Sequence, residues 1–381
     1  MHLMSGLSLE SGLTYFGAKG VIGYGKLFTI SIFWAFIAGA VLFLFTRLHE
    51  PGYFFMDEKI FDKGILFFVV GNMLSSYGTA LFFSQKNFII PNVINLCVTV
   101  ILIFIFPYGG RSILPGITDD NYFYFYFLGF LSQGILTLLA FVLQSKTHIR
   151  IELLQRREFY QLMKFSATAW LGNIIFFLLY RIDYWFVAKF CTATELGNYI
   201  QVSKLAQLFF FVPAMFASVI FPLTAAGDNR AIFNLLSLFS RGFLFVYSIV
   251  CLLLILSGYW LFPFVFGESF SGMYIAFLLY VPGILSLGTL YSLTAYNSGN
   301  DKISLNLKGS LYALIFVTIA NFFVVPKFGI PGAAAVCSAG YILYQVYLLR
   351  QLKISELVNL HSFFFIRMSD FAKIKTLLKS S

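Results

Sequence analysis

The chain has 381 residues, of which 59% are hydrophobic and only 11% are charged. In soluble globular proteins roughly a quarter of all residues are charged, so this composition excludes a water-soluble fold. The formal net charge is +10, and the four cysteines show no C-x-x-C spacing, so we expect neither a metal site nor a disulfide framework.

Apolar runs of membrane-spanning length follow one another along the chain. A bilayer core about 30 Å thick needs roughly 20 apolar residues per helix. The runs that meet this requirement are 27–46, 64–83, 88–106, 122–143, 165–188, 205–226, 243–262, 273–296, 311–325 and 330–349. We therefore predict an all-α polytopic membrane protein with about ten transmembrane helices in two bundles, four plus six.

A basic stretch between the fourth and fifth runs divides the chain. The predicted segments are a cytoplasmic N-terminal segment at 1–26, a first bundle at 27–143, a basic cytoplasmic linker at 144–164, a second bundle at 165–349 and a tail at 350–381. The tail has Phe364, Met368 and Phe371 at helical spacing between basic residues. This pattern predicts an amphipathic helix on the anionic inner leaflet.

The distribution of positive residues predicts the orientation. Lys and Arg accumulate in cytoplasmic loops, and most of the 26 in this chain fall on the side that contains the N-terminus. Both termini are therefore predicted to be cytoplasmic, with Arg156 inside and Asn198 outside.

Patterns typical of enzymes are weak. Residues 20–26 have the glycine and lysine spacing of a phosphate-binding loop, but Leu27 stands where Ser or Thr is required and no strand precedes it. All four histidines, His2, His49, His148 and His361, lie outside the apolar runs. We predict no catalytic residue, no metal, no cofactor and no nucleic-acid partner.

Arg181 and Asp183 are the only pair of fully charged residues within a predicted spanning run. Charges in a membrane helix usually face a cavity or a partner. Two residues apart on a helix is about 200° around the axis, so this pair is not expected to form an ion pair. A bundle interior with water or ligand would satisfy both. In the alternative, Arg181 reaches the outer headgroups and Asp183 caps a neighbouring helix.

A polar and aromatic stripe accompanies these charges. Trp170, Asn173, Phe177, Tyr180 and Tyr184 repeat at three- and four-residue steps. The stripe fits stacking against sugar rings and fits helix packing equally well, and both interpretations stay open.

Several segments together resemble a known family. They are Arg181-Ile182-Asp183, Glu195-Leu196-Gly197-Asn198-Tyr199 with Lys204, Phe221-Pro222, Asn297-Ser298-Gly299-Asn300-Asp301-Lys302, and Pro326 to Ala334 with Asn321. In order and spacing, over nearly the whole chain, they resemble the Wzx-type flippases of O-antigen and capsule synthesis. These belong to the superfamily of the MATE exporters and the lipid II flippase.

The family has twelve helices in two bundles of six, and residues 6–15 resemble the end of its second helix. The first two helices are therefore expected to be missing from this chain. Either the true start lies upstream, or this is a shortened version, active or inactive.

The resemblance implies a function at the bacterial inner membrane. It implies translocation of an undecaprenyl-pyrophosphate-linked oligosaccharide repeat by alternating access, with membrane lipids, a polysaccharide polymerase and a chain-length regulator as further partners. A pyrophosphate requires cationic contacts. The candidate substrate contacts are Arg181, Asp183, Tyr180 and Tyr184 in the helix, Lys189 and Lys204 at the outer rim, and Lys19 and Lys26 at the inner rim.

Two alternatives from other functional classes remain. A MATE-like multidrug or cation antiporter would share the fold, but a cationic drug would favour more acids in the cavity than Asp183 alone. A membrane-embedded polysaccharide polymerase, an enzyme, would be expected to have a large external loop. The longest external loops predicted here, 47–63 and 107–121, are short.

Overall fold

The computed structural model describes residues 6–48, 58–106, 117, 122–145, 150–227, 229–356, 363–364 and 370. Every long regular element within these ranges is an α-helix, and one 3₁₀ turn at Glu268–Phe270 joins two of them. In chain order the helices are α1 (Leu9–Lys19), α2 (Tyr24–Leu48), α3 (Glu58–Ser84), α4 (Ile89–Ile105), α5 (Tyr122–Gln144), α6 (Arg156–Leu179), α7 (Ile182–Phe190), α8 (Ala193–Ala225), α9 (Asn229–Phe266), α10 (Met273–Gly299) and α11 (Ile303–Glu356).

These helices supply the predicted membrane crossings. Eight stretches in the described part of the chain are long and apolar enough to span a membrane, and α4 adds a shorter apolar helix. The stretch Ile303–Leu352 holds two crossings, because Gly329, with φ 56° and ψ −143°, interrupts the helix. The prediction of an all-α membrane protein with about ten helices is confirmed.

The chain divides into two compact units, Met1–Trp170 and Leu171–Ser381. In the first unit, α3 and α5 touch backbone to backbone. A Cβ atom on Gly71 would lie 2.4 Å from the backbone nitrogen of Leu131, and one on Gly134 would lie 2.5 Å from the carbonyl oxygen of Gly71. Small residues permit this close approach of membrane helices.

Two segments of the first unit are more helical than their hydropathy indicated, although the resemblance of residues 6–15 to the end of a helix agrees with the first of them. α1 lies within the predicted N-terminal segment 1–26 and is packed, since the ring of Tyr15 stacks on Phe165 of α6 with centroids 4.5 Å apart. α6 begins at Arg156, so the last part of the predicted linker 144–164 is helical. Apolar residues at three- and four-residue steps, such as Leu9, Leu13 and Phe16 in α1 and Leu162 and Phe165 in α6, give both segments a packing face despite their charges.

The second unit has one large apolar core built from α7 to α11. Small residues let its helices approach closely, and Ala333 and Ala334 are both fully buried. A Cβ atom on Gly283 of α10 would lie 2.8 Å from the Cα atom of Ser338 on α11. Pro213 and Pro282 lie inside α8 and α10.

Two residues of the predicted tail belong to this core. Phe363 is fully buried and packs edge-on against Phe233 of α9, with ring centroids 5.4 Å apart. The Asp370 carboxylate forms two hydrogen bonds of 2.8 Å with the guanidinium of Arg241, and both side chains are buried. Most other residues of the predicted amphipathic helix, including Met368 and Phe371, lie outside the described residues.

Candidate functional site

A break in one membrane span positions the predicted charged residues. α6 ends at Leu179 and α7 begins at Ile182. Between them the backbone N–H of Arg181 donates to the carbonyl of Leu178 at 3.0 Å, and that of Tyr184 donates to the carbonyl of Arg181 at 3.2 Å. These three-residue bonds replace the four-residue bonds of an α-helix. Arg181 therefore stands at the junction rather than within a continuous helix.

The Arg181 guanidinium is partly exposed and has neutral neighbours. Its central carbon lies 5.5 Å from the ring centroid of Tyr180 and 5.1 Å from that of Tyr184. Nη2 donates a long hydrogen bond of 3.4 Å to the side-chain oxygen of Gln207 on α8. Among the described residues, no carboxylate forms an ion pair with Arg181. The positive charge is thus oriented by its surroundings but not neutralised.

Gln207 was not among the predicted site residues. Its side-chain nitrogen donates to the Oγ of Ser203 at 3.2 Å and to the hydroxyl of Tyr184 at 3.4 Å. Ser203 and Gln207 follow Tyr199 on α8 at four-residue steps, so the three side chains form a polar stripe on one face of that helix. That spacing is the signal that could have revealed them.

Asp183 has a different environment from Arg181. It is fully buried, and one carboxylate oxygen accepts hydrogen bonds from the hydroxyl of Tyr199, the hydroxyl of Tyr280 at 3.3 Å and the thiol of Cys337 at 3.1 Å. The other oxygen accepts from the backbone N–H of Tyr184 at 3.0 Å. Protein donors from three other helices therefore satisfy this carboxylate, instead of the water or ligand that we expected.

The four predicted lysines each have surroundings of their own. Lys189 and Lys204 are exposed, and the Lys189 ammonium lies 5.0 Å from the ring centroid of Trp185. In the first unit, Lys19 is exposed and donates to the Tyr15 hydroxyl at 2.6 Å. Lys26 forms an ion pair with Glu158 at 2.9 Å, which neutralises its charge in this conformation.

The geometry excludes some chemistry within the described residues. No group of three His, Cys, Asp or Glu side chains there is arranged to hold a metal ion. The acid and the thiol that do come together, Asp183 and Cys337, are hydrogen-bonded to each other and fully buried. What the cluster around Arg181 can do is bind an anion, since a guanidinium recognises carboxylate and phosphate groups.

Known structures share the fold of this chain. A mutant of the Vibrio cholerae MATE transporter VcmN superposes with a TM-score of 0.75 at 15% identity, covering 93% of this chain and 86% of that one. An outward-facing multidrug resistance MATE transporter of the MOP superfamily gives 0.64 at 13% identity, covering 100% and 86%. A MOP superfamily transporter from Pyrococcus furiosus, whose reversed binding-pocket polarity suggests a different function for that protein, gives 0.66 at 13% identity, covering 93% and 85%.

No family model and no curated protein matches the sequence. The structural likeness shows that the chain has the MATE-like fold, as predicted. The two MATE transporters share 15% and 13% of their residues with this chain, and at that identity the likeness concerns the fold alone.

Proposed function

We propose that the chain is a flippase that moves an undecaprenyl-pyrophosphate-linked oligosaccharide repeat from the cytoplasmic to the periplasmic leaflet of the inner membrane. The observation that carries the proposal is the Arg181 guanidinium, which lies inside a membrane span among neutral groups. A charge at such a position is costly unless an anion or water satisfies it. A pyrophosphate offers several oxygen atoms in the geometry that a guanidinium binds with two parallel hydrogen bonds.

The surroundings of Arg181 also suit the sugar portion of such a substrate. Tyr180 and Tyr184 flank the guanidinium, and Tyr180 contacts the ring of Phe210 edge-on. Aromatic faces beside hydrogen-bonding hydroxyls combine an apolar surface with a polar edge. This arrangement supports binding of an anion and a sugar ring side by side.

The carboxylates argue against a cationic substrate. The spans of the described chain contain Glu158, Asp183 and Glu195 as their acidic residues. Glu158 is paired with Lys26, Glu195 is held in the capping box of α8 with Thr192, and Asp183 is held by three side-chain donors. A MATE-like exporter of cationic drugs would need an available carboxylate within the spans, and each of these three is already engaged. Glu10, which has a buried oxygen without a partner among the described residues, lies on α1 outside the spans. The reversed pocket polarity described for the Pyrococcus furiosus protein suggests a different function for that protein, so the polarity of the pocket is not the same in all proteins of this fold.

Deleting the gene in its own host and restoring variants tests the proposal. Arg181→Ala should abolish surface glycan and cause lipid-linked repeats to accumulate, at unchanged abundance in the membrane. Arg181→Lys should restore part of the export, because charge survives without the planar fork. Arg157→Ala, at an exposed position near the start of α6, is the matched control and should export normally.

Two results would contradict the proposal. Normal glycan export by Arg181→Ala at normal abundance would remove the role of the guanidinium. Unchanged glycan in the deletion strain, together with increased sensitivity to cationic drugs, would favour the antiporter.

A further inference from the structure

We propose that Gln207 is a positioning residue that orients Arg181 toward an anionic headgroup while leaving the guanidinium charge uncompensated. This inference rests on the proposed function. It adds a second residue to the same site, on a different helix, and assigns it the task of keeping the site selective for anions.

The carboxamide of Gln207 is held in one orientation. Its nitrogen lies 3.2 Å from Ser203 Oγ and 3.4 Å from the Tyr184 hydroxyl, and both of these oxygens can accept a hydrogen bond. The opposite end of the amide, its oxygen, then faces Arg181 Nη2 at 3.4 Å. A flipped amide would place its NH₂ group against the guanidinium, donor against donor. The network therefore presents an acceptor to Arg181.

The neutrality of this acceptor is the informative feature. A glutamate at position 207 would have the same length and would also accept from Arg181, but it would form an ion pair. An ion pair satisfies the guanidinium permanently and competes with any incoming anion. Glutamine occupies one of the five guanidinium N–H groups and leaves the charge available to a ligand.

The two tyrosines restrict where that ligand binds. Tyr180 and Tyr184 lie beside the guanidinium, with their ring centroids 5.5 and 5.1 Å from its central carbon. With one N–H directed at Gln207, the remaining donors are left for an anion such as a pyrophosphate. Tyr184 takes part twice, because its ring contacts Arg181 and its hydroxyl accepts from Gln207.

A purely structural role for Gln207 makes a different prediction. If the residue only ties α8 to α7, then thermal stability and ligand affinity should rise or fall together. If it positions a receptor for anions, Gln207→Glu should separate the two. The new ion pair should preserve or raise the melting temperature while anion binding weakens.

The experiment uses the full-length protein in zwitterionic lipid nanodiscs. Undecaprenyl pyrophosphate is the probe, and undecaprenol is its neutral counterpart. Gln207→Glu should weaken binding of the pyrophosphate lipid by about ten- to a hundredfold, without changing the binding of undecaprenol. Gln207→Leu, which removes all three hydrogen bonds, should weaken it less, because Arg181 keeps its charge. Gln201→Glu adds the same charge on α8 outside the network and should bind as the unmodified protein does.

The outcomes separate this inference from the proposed function. Unchanged pyrophosphate affinity in Gln207→Glu, with affinity lost in Arg181→Ala, would overturn the role of Gln207 and leave the anion site standing. Unchanged affinity in Arg181→Ala would overturn both. Equal loss of stability and affinity in Gln207→Glu and Gln207→Leu would show that the residue acts only in packing.

Discussion

At the scale of single residues, two charges two positions apart in one membrane span are stabilised in opposite ways. Arg181 keeps neutral neighbours and partial exposure, whereas Asp183 is fully buried. Tyr199, Tyr280 and Cys337, from three different helices, converge on one oxygen of Asp183. The carboxylate therefore organises α7, α8, α10 and α11, and any role in transport is combined with a structural one.

Substitutions at Asp183 should separate these roles. Asp183→Ala leaves two tyrosine hydroxyls and a thiol without their acceptor, so we expect a loss of about 2–4 kcal/mol in stability and lower abundance. Asp183→Asn keeps an acceptor oxygen, so abundance should be largely retained. Transport should still slow if the carboxylate takes up a proton or Na⁺ when the transporter returns to its inward state. Thermal melting and glycan export measure the two effects, and Asp301→Asn, at an exposed turn, is the control.

Glu10 makes stability depend on pH. It lies on α1, outside the apolar spans, and one of its carboxylate oxygens is buried with no hydrogen-bond partner among the described residues. Burial raises the pKa of Glu10 from 4.5 to about 7. The folded state therefore binds this proton more tightly than the unfolded state, and stability falls as the pH rises from 4.5 to about 7.

We expect Glu10→Gln to raise the melting temperature at about pH 8, where the native carboxylate is ionised, and to leave it nearly unchanged at about pH 4.5. Melting curves at both pH values test this expectation. Glu268→Gln removes an exposed carboxylate and should have no effect at either pH. Equal stabilisation at both pH values would show that ionisation of Glu10 is not the cause.

At the scale of elements, glycines decide which helices of the first unit can touch. Gly71→Val would place side-chain carbons against the backbone of Phe130 and Leu131, where a Cβ atom alone would lie 2.4 Å away. Overpacking of this kind costs about 1–3 kcal/mol. We expect a lower melting temperature and reduced abundance. Gly197→Ala, whose Cβ atom would meet nothing within 4 Å, is the control and should behave as the unmodified protein.

The contacts of the tail predict that truncation destabilises the protein. The sequence predicted a helix on the inner leaflet, but Phe363 and Asp370 are buried in the second unit. Breaking a buried ion pair by neutralising one partner costs about 3–5 kcal/mol, because an uncompensated charge remains. Asp370→Asn should therefore reduce folded protein strongly, as should truncation after Glu356. Combining Arg241→Asp with Asp370→Arg should restore part of the lost stability. Melting curves of the detergent-solubilised protein measure this recovery.

At the scale of the whole molecule, hydropathy was sufficient to predict the crossings but not their local geometry. The described helices extend beyond several predicted runs, as for α9, which covers Asn229–Phe266 where 243–262 was expected. Polar residues outside the bilayer continue a helix without any hydropathy signal. The residues of the candidate site also fall into two groups, those that the sequence revealed and those that it did not. Arg181 and Asp183 were found because charge inside a span is rare. Gln207 is visible in the sequence only as one step of the polar stripe on α8, and Cys337 acquires its role from Asp183, which lies 154 positions earlier in the chain.

The orientation of the chain remains a prediction that labelling can test. Asn198 is buried and donates to the carbonyl oxygens of Thr194 and Ser269, so it is unsuitable as a labelling site. Ala193, on the predicted outer side, and Arg157, on the predicted inner side, are exposed and are used as labelling sites instead. In a background with Cys97 and Cys191 changed to serine, an impermeant thiol reagent should label Ala193→Cys in intact cells. Arg157→Cys should be labelled only after lysis, and the opposite pattern would reverse the topology.

The junction between α6 and α7 also has a consequence for deuterium uptake. An intact membrane helix exchanges its amide protons slowly, because several consecutive hydrogen bonds must open together. At Arg181 and Tyr184 the bonds reach back only three residues, so the segment between the two helices can open without unfolding either one. Peptides covering 180–184 should exchange faster than those from the middle of α10. A ligand bound to Arg181 should slow that exchange, which would report occupancy of the site without a transport assay.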